Sequence, residues 1–231
     1  MNENLRFRLG YWSAIIIALL VILIDVGMIA SSILFPLAEI PNIETYADSF
    51  TSEQMLPFIP SLLLGPVFVI LVFSITSTTS QKNKRLNYLS VFFGLTCSII
   101  LVIHYSIQLT IVRQGLLHHD LIGLWQLVAP NMHSYFWVLA SVGYGFMGLA
   151  LLCIVPLFDK ESERILRGLI VGNGVIGLGF LLGNALGAFI VDILASFSWG
   201  ILFPITAIML ARKFSRQIPE TISVTRLKMK R

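Results

Sequence analysis

Charged side chains are scarce in this chain: 16 Lys and Arg and 12 Asp and Glu in 231 residues, 12% of the total, against 56% hydrophobic residues. That scarcity excludes an ordinary soluble domain, in which about a quarter of the residues are charged. Two cysteines, Cys97 and Cys153, are too few for a disulfide framework, and both fall inside apolar runs, where buried structural thiols are the default. The chain lacks H-E-x-x-H and G-x-S-x-G, and it has no paired carboxylates at useful spacing. Catalysis is therefore not the leading expectation, and neither a cofactor nor a metal is expected. The net charge of +4 does not point to nucleic acid, because the basic residues are dispersed over four short segments rather than gathered in one patch.

Long hydrophobic runs are what the sequence has in abundance. Six can be marked, at residues 11–35, 57–77, 87–112, 134–157, 166–183 and 187–211. A run of about 20 residues rises about 30 Å as a helix, the thickness of the bilayer's hydrocarbon core. Arg6 and Arg8 before the first run resemble the start of a signal peptide. The run itself is about 25 residues, however, and a signal peptide's apolar region is about 7 to 15, so an uncleaved first span is expected.

The basic residues orient these runs. They stand at Arg6 and Arg8, at Lys82, Lys84 and Arg85, at Lys160, Arg164 and Arg167, and at seven positions from Arg212 to Arg231. With six spans all of these fall on one side, and only Arg113 falls on the other. Positive charge accumulates in cytoplasmic loops. The expectation is an all-α polytopic protein of the cell membrane, a single transmembrane domain over residues 1–231 with six transmembrane helices. Both termini are cytoplasmic, and residues 212–231 form a basic tail suited to anionic lipid. The loop at residues 36–56 carries Glu39, Glu44, Asp48 and Glu53 with no basic residue and is expected outside. Residues 114–133 are too apolar for a solvated loop and too short to span, which predicts an amphipathic, interfacial or partly re-entrant segment between spans three and four, with Trp125 at headgroup level.

The most conspicuous motif is a decoy. Gly172-Asn173-Gly174-Val175-Ile176-Gly177 matches G-x-G-x-x-G, but a dinucleotide site needs a strand before it and a soluble βαβ unit around it. Glycines four apart, at 168 and 172 and at 179, 183 and 187, predict instead that the fifth span packs closely on its neighbours, and Gly143, Gly145 and Gly148 predict the same for the fourth. Pro60, Pro66 and Pro204 favour kinks, and Pro204, one turn after Trp199 and Gly200, marks a candidate hinge.

Polar residues inside the spans are the candidate site: Asp25, His104, Gln108, Asn173 and Asp192. A charge at the bilayer centre costs about 2.5 to 3.5 kcal/mol on insertion scales, so such residues are functional hypotheses by default. Four of the five lie in the outer half by residue count and could converge on one cavity. Hydrogen-bonded glue between helices, a pocket for a small molecule or lipid, and proton or ion coupling through Asp25 or Asp192 with His104 as relay are the competing roles. Arg113, at the same outer boundary, reads as an interfacial anchor or as a charge partner of Asp192. His118, His119 and Asp120 are consecutive and cannot converge as zinc ligands should.

The segment Asn131-Met132-His133-Ser134-Tyr135-Phe136-Trp137, continued by Gly143-Tyr144-Gly145-Phe146-Met147-Gly148-Leu149-Ala150, resembles a pattern in uncharacterised bacterial integral membrane proteins grouped as a family of unknown function. Gly172-Asn173-Gly174 and the run from Trp199-Gly200 to Pro204 are also similar, and the resemblance covers residues 100–211. It implies six membrane helices and a bacterial membrane location, and it carries over no site residue. The sequence thus leads to a multi-pass protein binding a small molecule or lipid in an outward-facing polar cavity. The alternatives are a proton- or ion-coupled secondary transporter and a non-catalytic accessory subunit of a membrane complex.

Overall fold

In a computed structural model of the chain, residues 3–34, 42–77 and 84–218 are described. All regular structure among them is helical: α1 (Glu3–Leu34), α2 (Ile43–Ser49), α3 (Phe58–Ser77), α4 (Lys84–Ile107), α5 (Arg113–His118), α6 (Tyr135–Ile154), α7 (Arg164–Ala185) and α8 (Phe189–Ser215), with short tighter or wider turns between them. Six helical stretches, Asn4–Leu34, Ser52–Ser77, Lys84–His118, Tyr135–Leu157, Arg164–Ala185 and Leu194–Ser215, are long and apolar enough to cross a membrane. The six expected runs lie within or largely overlap them. The helices overrun the runs because α1 continues through its polar N-terminal turns, and α8 through Arg212 and Lys213. At 32 residues, α1 is about 48 Å long, well beyond the hydrocarbon core.

The long helices form a closed ring in chain order. α1 packs on α3, α3 on α4, α4 on α6, α6 on α7 and α7 on α8, and α8 returns to α1. Successive neighbours run antiparallel, as short connections require. One end of the ring is tied by contacts at the start of α1, α4 and α7 and at the finish of α3, α6 and α8. Arg6 donates to the Ser77 carbonyl at 2.9 Å, Gly10 lies against the Phe214 ring, Ser90 donates to the Ala150 carbonyl at 2.8 Å, and Lys213 pairs with Glu163 while lying 4.5 Å above the Phe158 ring. The turn before α7 is built on Asp159, whose carboxylate accepts the Ser162 N–H at 2.8 Å and its hydroxyl at 2.9 Å. Those bonds, the backbone one first, hold its carboxyl below the usual range. This end carries the described basic clusters and is called the basic end below.

The centre of the ring is filled toward the basic end. Phe68 on α3 and Phe203 on α8, both buried, face each other with centroids 6.2 Å apart. The outer surface is apolar, with Leu19, Leu23 and Val26 on α1 and Leu194, Ile201 and Ile205 on α8 exposed, as lipid-facing helices require.

Close packing of α6 on α7 depends on glycine, on Gly148 as expected from the sequence and on Gly174 and Gly177 outside the four-residue register. A Cβ at Gly148 would lie 2.5 Å from the Gly174 carbonyl oxygen, and one at Gly177 would lie 2.6 Å from the Tyr144 carbonyl oxygen. Gly168 and Gly187 have no heavy atom near that position, and Gly179 has only the Ala195 methyl at 3.9 Å. The four-residue spacing marks a different face of α7, the one turned to α8, where a Cβ at Gly172 would lie 2.9 Å from Leu202 Cδ2.

The connection after α4 departs from the expected amphipathic helix. The helix axis continues through a π-helical turn at Gln108–Val112 into α5 and stops at His119, whose φ of 54° lies in the left-handed region. A compact loop follows with one 3₁₀ turn at Leu124–Gln126. Leu116, Leu124 and Val128 turn inward and are buried, which accounts for an apolar composition that otherwise reads as a membrane-surface helix. Trp125 is half-buried and its carbonyl accepts from Asn131 at 2.8 Å, so it is part of the loop's own packing. The described part of the acidic loop, residues 42–56, is likewise ordered. Asn42 caps α2 by accepting the Thr45 N–H at 2.9 Å, and Ile43, Tyr46 and Ala47 are buried, with burial pushing the Tyr46 hydroxyl up to about 12. Glu39, Lys82 and the tail beyond Ile218 lie outside the described residues.

Candidate ligand cavity

Toward the end of the ring opposite the basic end, the packed centre gives way to a cavity of about 650 Å³. It is enclosed by the C-terminal half of α1, the first turns of α3 and α6, the late turns of α4 and α7, and the N-terminal half of α8. Its volume is that of a small-molecule site, typically about 300 to 1,000 Å³.

Asp25 supplies the one charged group in its lining among the described residues. This half-buried carboxylate projects from α1 toward Gly200 on α8, and a Cβ there would stand 2.7 Å from Oδ2 and 2.8 Å from Oδ1. Only glycine at position 200 leaves room for it. Asp25 makes no hydrogen bond or ion pair among the described residues.

Aromatic rings make most of the remaining wall, joined in one chain across the helices. Tyr144 on α6 lies 5.1 Å from Trp199 on α8, edge to face, and stacks on Phe180 of α7 at 5.2 Å. Its hydroxyl is 3.1 Å from that of Tyr105 on α4. Phe58 of α3 is 5.8 Å from Tyr105 and 5.7 Å from Phe136 of α6. Trp199 stacks on Phe203 at 5.0 Å and so links the wall to the packed centre. Ring pairs at these separations add roughly 0.5 to 1.5 kcal/mol each beyond area burial and hold the wall rigid. Ser61 and Ser141 also line the cavity, with their hydroxyls turned to carbonyls of their own helices, Pro57 at 2.8 Å and Val138 at 2.9 Å.

The four candidate residues whose side chains are described are not brought together: of them, Asp25 alone lines the cavity. His104 is buried behind the wall, its ring 4.5 Å from Tyr105 and 4.7 Å from Phe136, and neither ring nitrogen has a hydrogen-bond partner among the described residues. Gln108 is buried and donates to the Leu127 carbonyl at 2.9 Å, tying the π-helical turn to the following loop. Asn173 lies toward the packed centre, donating to Thr206 of α8 at 2.8 Å and to the Leu169 carbonyl at 2.9 Å, with its own carbonyl oxygen unpartnered among the described residues. The Asp192 side chain lies outside the described residues. Arg113 donates to the Ser52 hydroxyl at 3.3 Å, bridging two loops, and His118, His119 and His133 are exposed. The lining itself is aromatic and aliphatic rather than polar.

The rings that build the wall were missed as site residues because an aromatic at helical spacing reads as core. Comparisons of the chain with protein-family models, with curated proteins and with solved structures return no match.

Proposed function

We propose that this is a six-span protein of the cell membrane, with both termini cytoplasmic, that binds a small molecule or lipid in the cavity beside Asp25. The sidedness rests on the basic residues gathered at one end of the ring, which the positive-inside rule assigns to the cytoplasm. That assignment puts the cavity in the outer half of the membrane. The observation that carries the binding reading is the Asp25 carboxylate held against Gly200 in a cavity of about 650 Å³. A side chain this costly in a membrane is rarely retained only to be left without a bond.

The cavity's rim indicates how a ligand arrives. Ile29 and Ile33 on α1 and Phe197 and Ile201 on α8 line it while remaining more than half exposed. The mouth therefore lies on the apolar outer surface, between α1 and α8. A molecule already dissolved in the bilayer can enter there without crossing water.

Native mass spectrometry of the full chain, extracted in mild detergent, tests this reading. A bound mass is expected on the wild type and not on Ala140→Trp, which places an indole in the cavity. The same bound mass on both proteins would contradict it.

A further inference from the structure

Resting on the cavity reading, we propose that the ligand is a lipophilic organic cation, its positive centre beside Asp25 and its apolar groups against the rings of Tyr144, Trp199 and Phe136.

Three features carry this. First, among the described residues the lining contains a carboxylate and no Lys, Arg or His, and Asp25 has no hydrogen bond or ion pair there. A carboxylate in a low-dielectric site demands a positive partner, and an incoming cation supplies it. Second, the wall opposite is a continuous set of ring faces and edges, with Tyr144 and Trp199 centroids 5.1 Å apart. Rings within about 6 Å of a cation attract it through their quadrupoles, Trp most strongly. The combination favours a bulky, delocalised or alkylated cation over a small hydrated one, because the cavity offers few free polar groups to replace a hydration shell. The hydroxyls of Ser61 and Ser141 are already committed to backbone carbonyls. Third, the mouth between α1 and α8 opens on apolar surface, which admits cations that partition into bilayers and excludes those that do not. An anionic lipid headgroup is disfavoured by the same carboxylate.

The test uses two ions of closely similar size and shape but opposite charge, tetraphenylphosphonium and tetraphenylborate, with neutral 1-oleoylglycerol as a third probe. Binding is measured by equilibrium dialysis against the full chain in nanodiscs. Saturable binding of tetraphenylphosphonium and none of tetraphenylborate is expected. Asp25→Asn, which keeps the shape against Gly200, should weaken phosphonium binding by about tenfold or more, the scale of an intramembrane charge contact. Trp199→Leu should weaken it, and Trp199→Phe should retain most of it. Equal binding of both ions, or phosphonium binding indifferent to Asp25→Asn, overturns the inference. If 1-oleoylglycerol binds saturably, is lost in Ala140→Trp, and the phosphonium does not bind, the cation assignment falls while the cavity reading stands. If no probe binds, both fall.

Discussion

The carboxylate of Asp25 occupies the space that any side chain at position 200 would need, its Oδ2 lying 2.7 Å from where a Cβ on Gly200 would stand. The two residues sit on the first and last spans of the ring, so this contact closes it at the cavity's floor. Gly200→Ala should push the carboxylate aside, and Gly200→Leu should fill the cavity as well. Overpacking of this kind costs about 1 to 3 kcal/mol. Ligand binding should fall more steeply than stability across the two variants, as read by mass spectrometry against thermal unfolding in detergent.

The α6–α7 crossing makes a sharper demand on stability. Gly148→Ala and Gly177→Ala set a methyl against backbone carbonyl oxygens at 2.5 and 2.6 Å, which no rotamer change relieves. Each should cost about 1 to 3 kcal/mol. Gly168→Ala meets no heavy atom within 4 Å and should be neutral or stabilising by up to about 1 kcal/mol, because alanine is the better helix former. Unfolding titrations of the three variants check this contrast.

These glycines also show what a sequence can and cannot reveal. That the fourth and fifth spans pack through small residues was readable from composition. Gly148 and Gly172 were readable as contacts too, but that Gly174 and Gly177 touch and Gly168 and Gly187 do not was not, because helix rotation depends on partners that no single segment encodes. The same holds for the polar residues: counting along a span places His104 and Gln108 in the outer half, but only packing turns the former behind Phe136 and the latter toward Leu127. The six apolar runs were legible because bilayer thickness sets their length. The loop after α5 was not, since burial of Leu116, Leu124 and Val128 by tertiary contact mimics the composition of an interfacial helix.

Asn173 and Thr206 join α7 to α8 through a bond of 2.8 Å in the packed part of the ring. Hydrogen bonds between membrane helices average about 0.6 kcal/mol and reach about 1.7. Asn173→Ala and Thr206→Ala should each destabilise within that range, with a coupling energy of similar size in a double-mutant cycle. Binding in the cavity should be unchanged in both variants.

Sidedness is checked by cysteine labelling in a Cys97→Ala, Cys153→Ala background. Asp48, on α2, and Lys160, in the turn before α7, are both exposed at opposite ends of the ring. A membrane-impermeant maleimide applied to intact cells should modify Asp48→Cys and leave Lys160→Cys untouched until the cells are lysed. The reverse pattern would put the basic end outside.

The claim that a ligand occupies the space beside Asp25 is tested most directly by an experimental density map of the protein purified in a mild detergent. The account predicts density bounded by Asp25, Tyr144 and Trp199 that protein atoms do not fill, extending toward the mouth between Ile33 and Phe197. A map in which α1 and α8 close on each other there, leaving no room for a ligand, would contradict it.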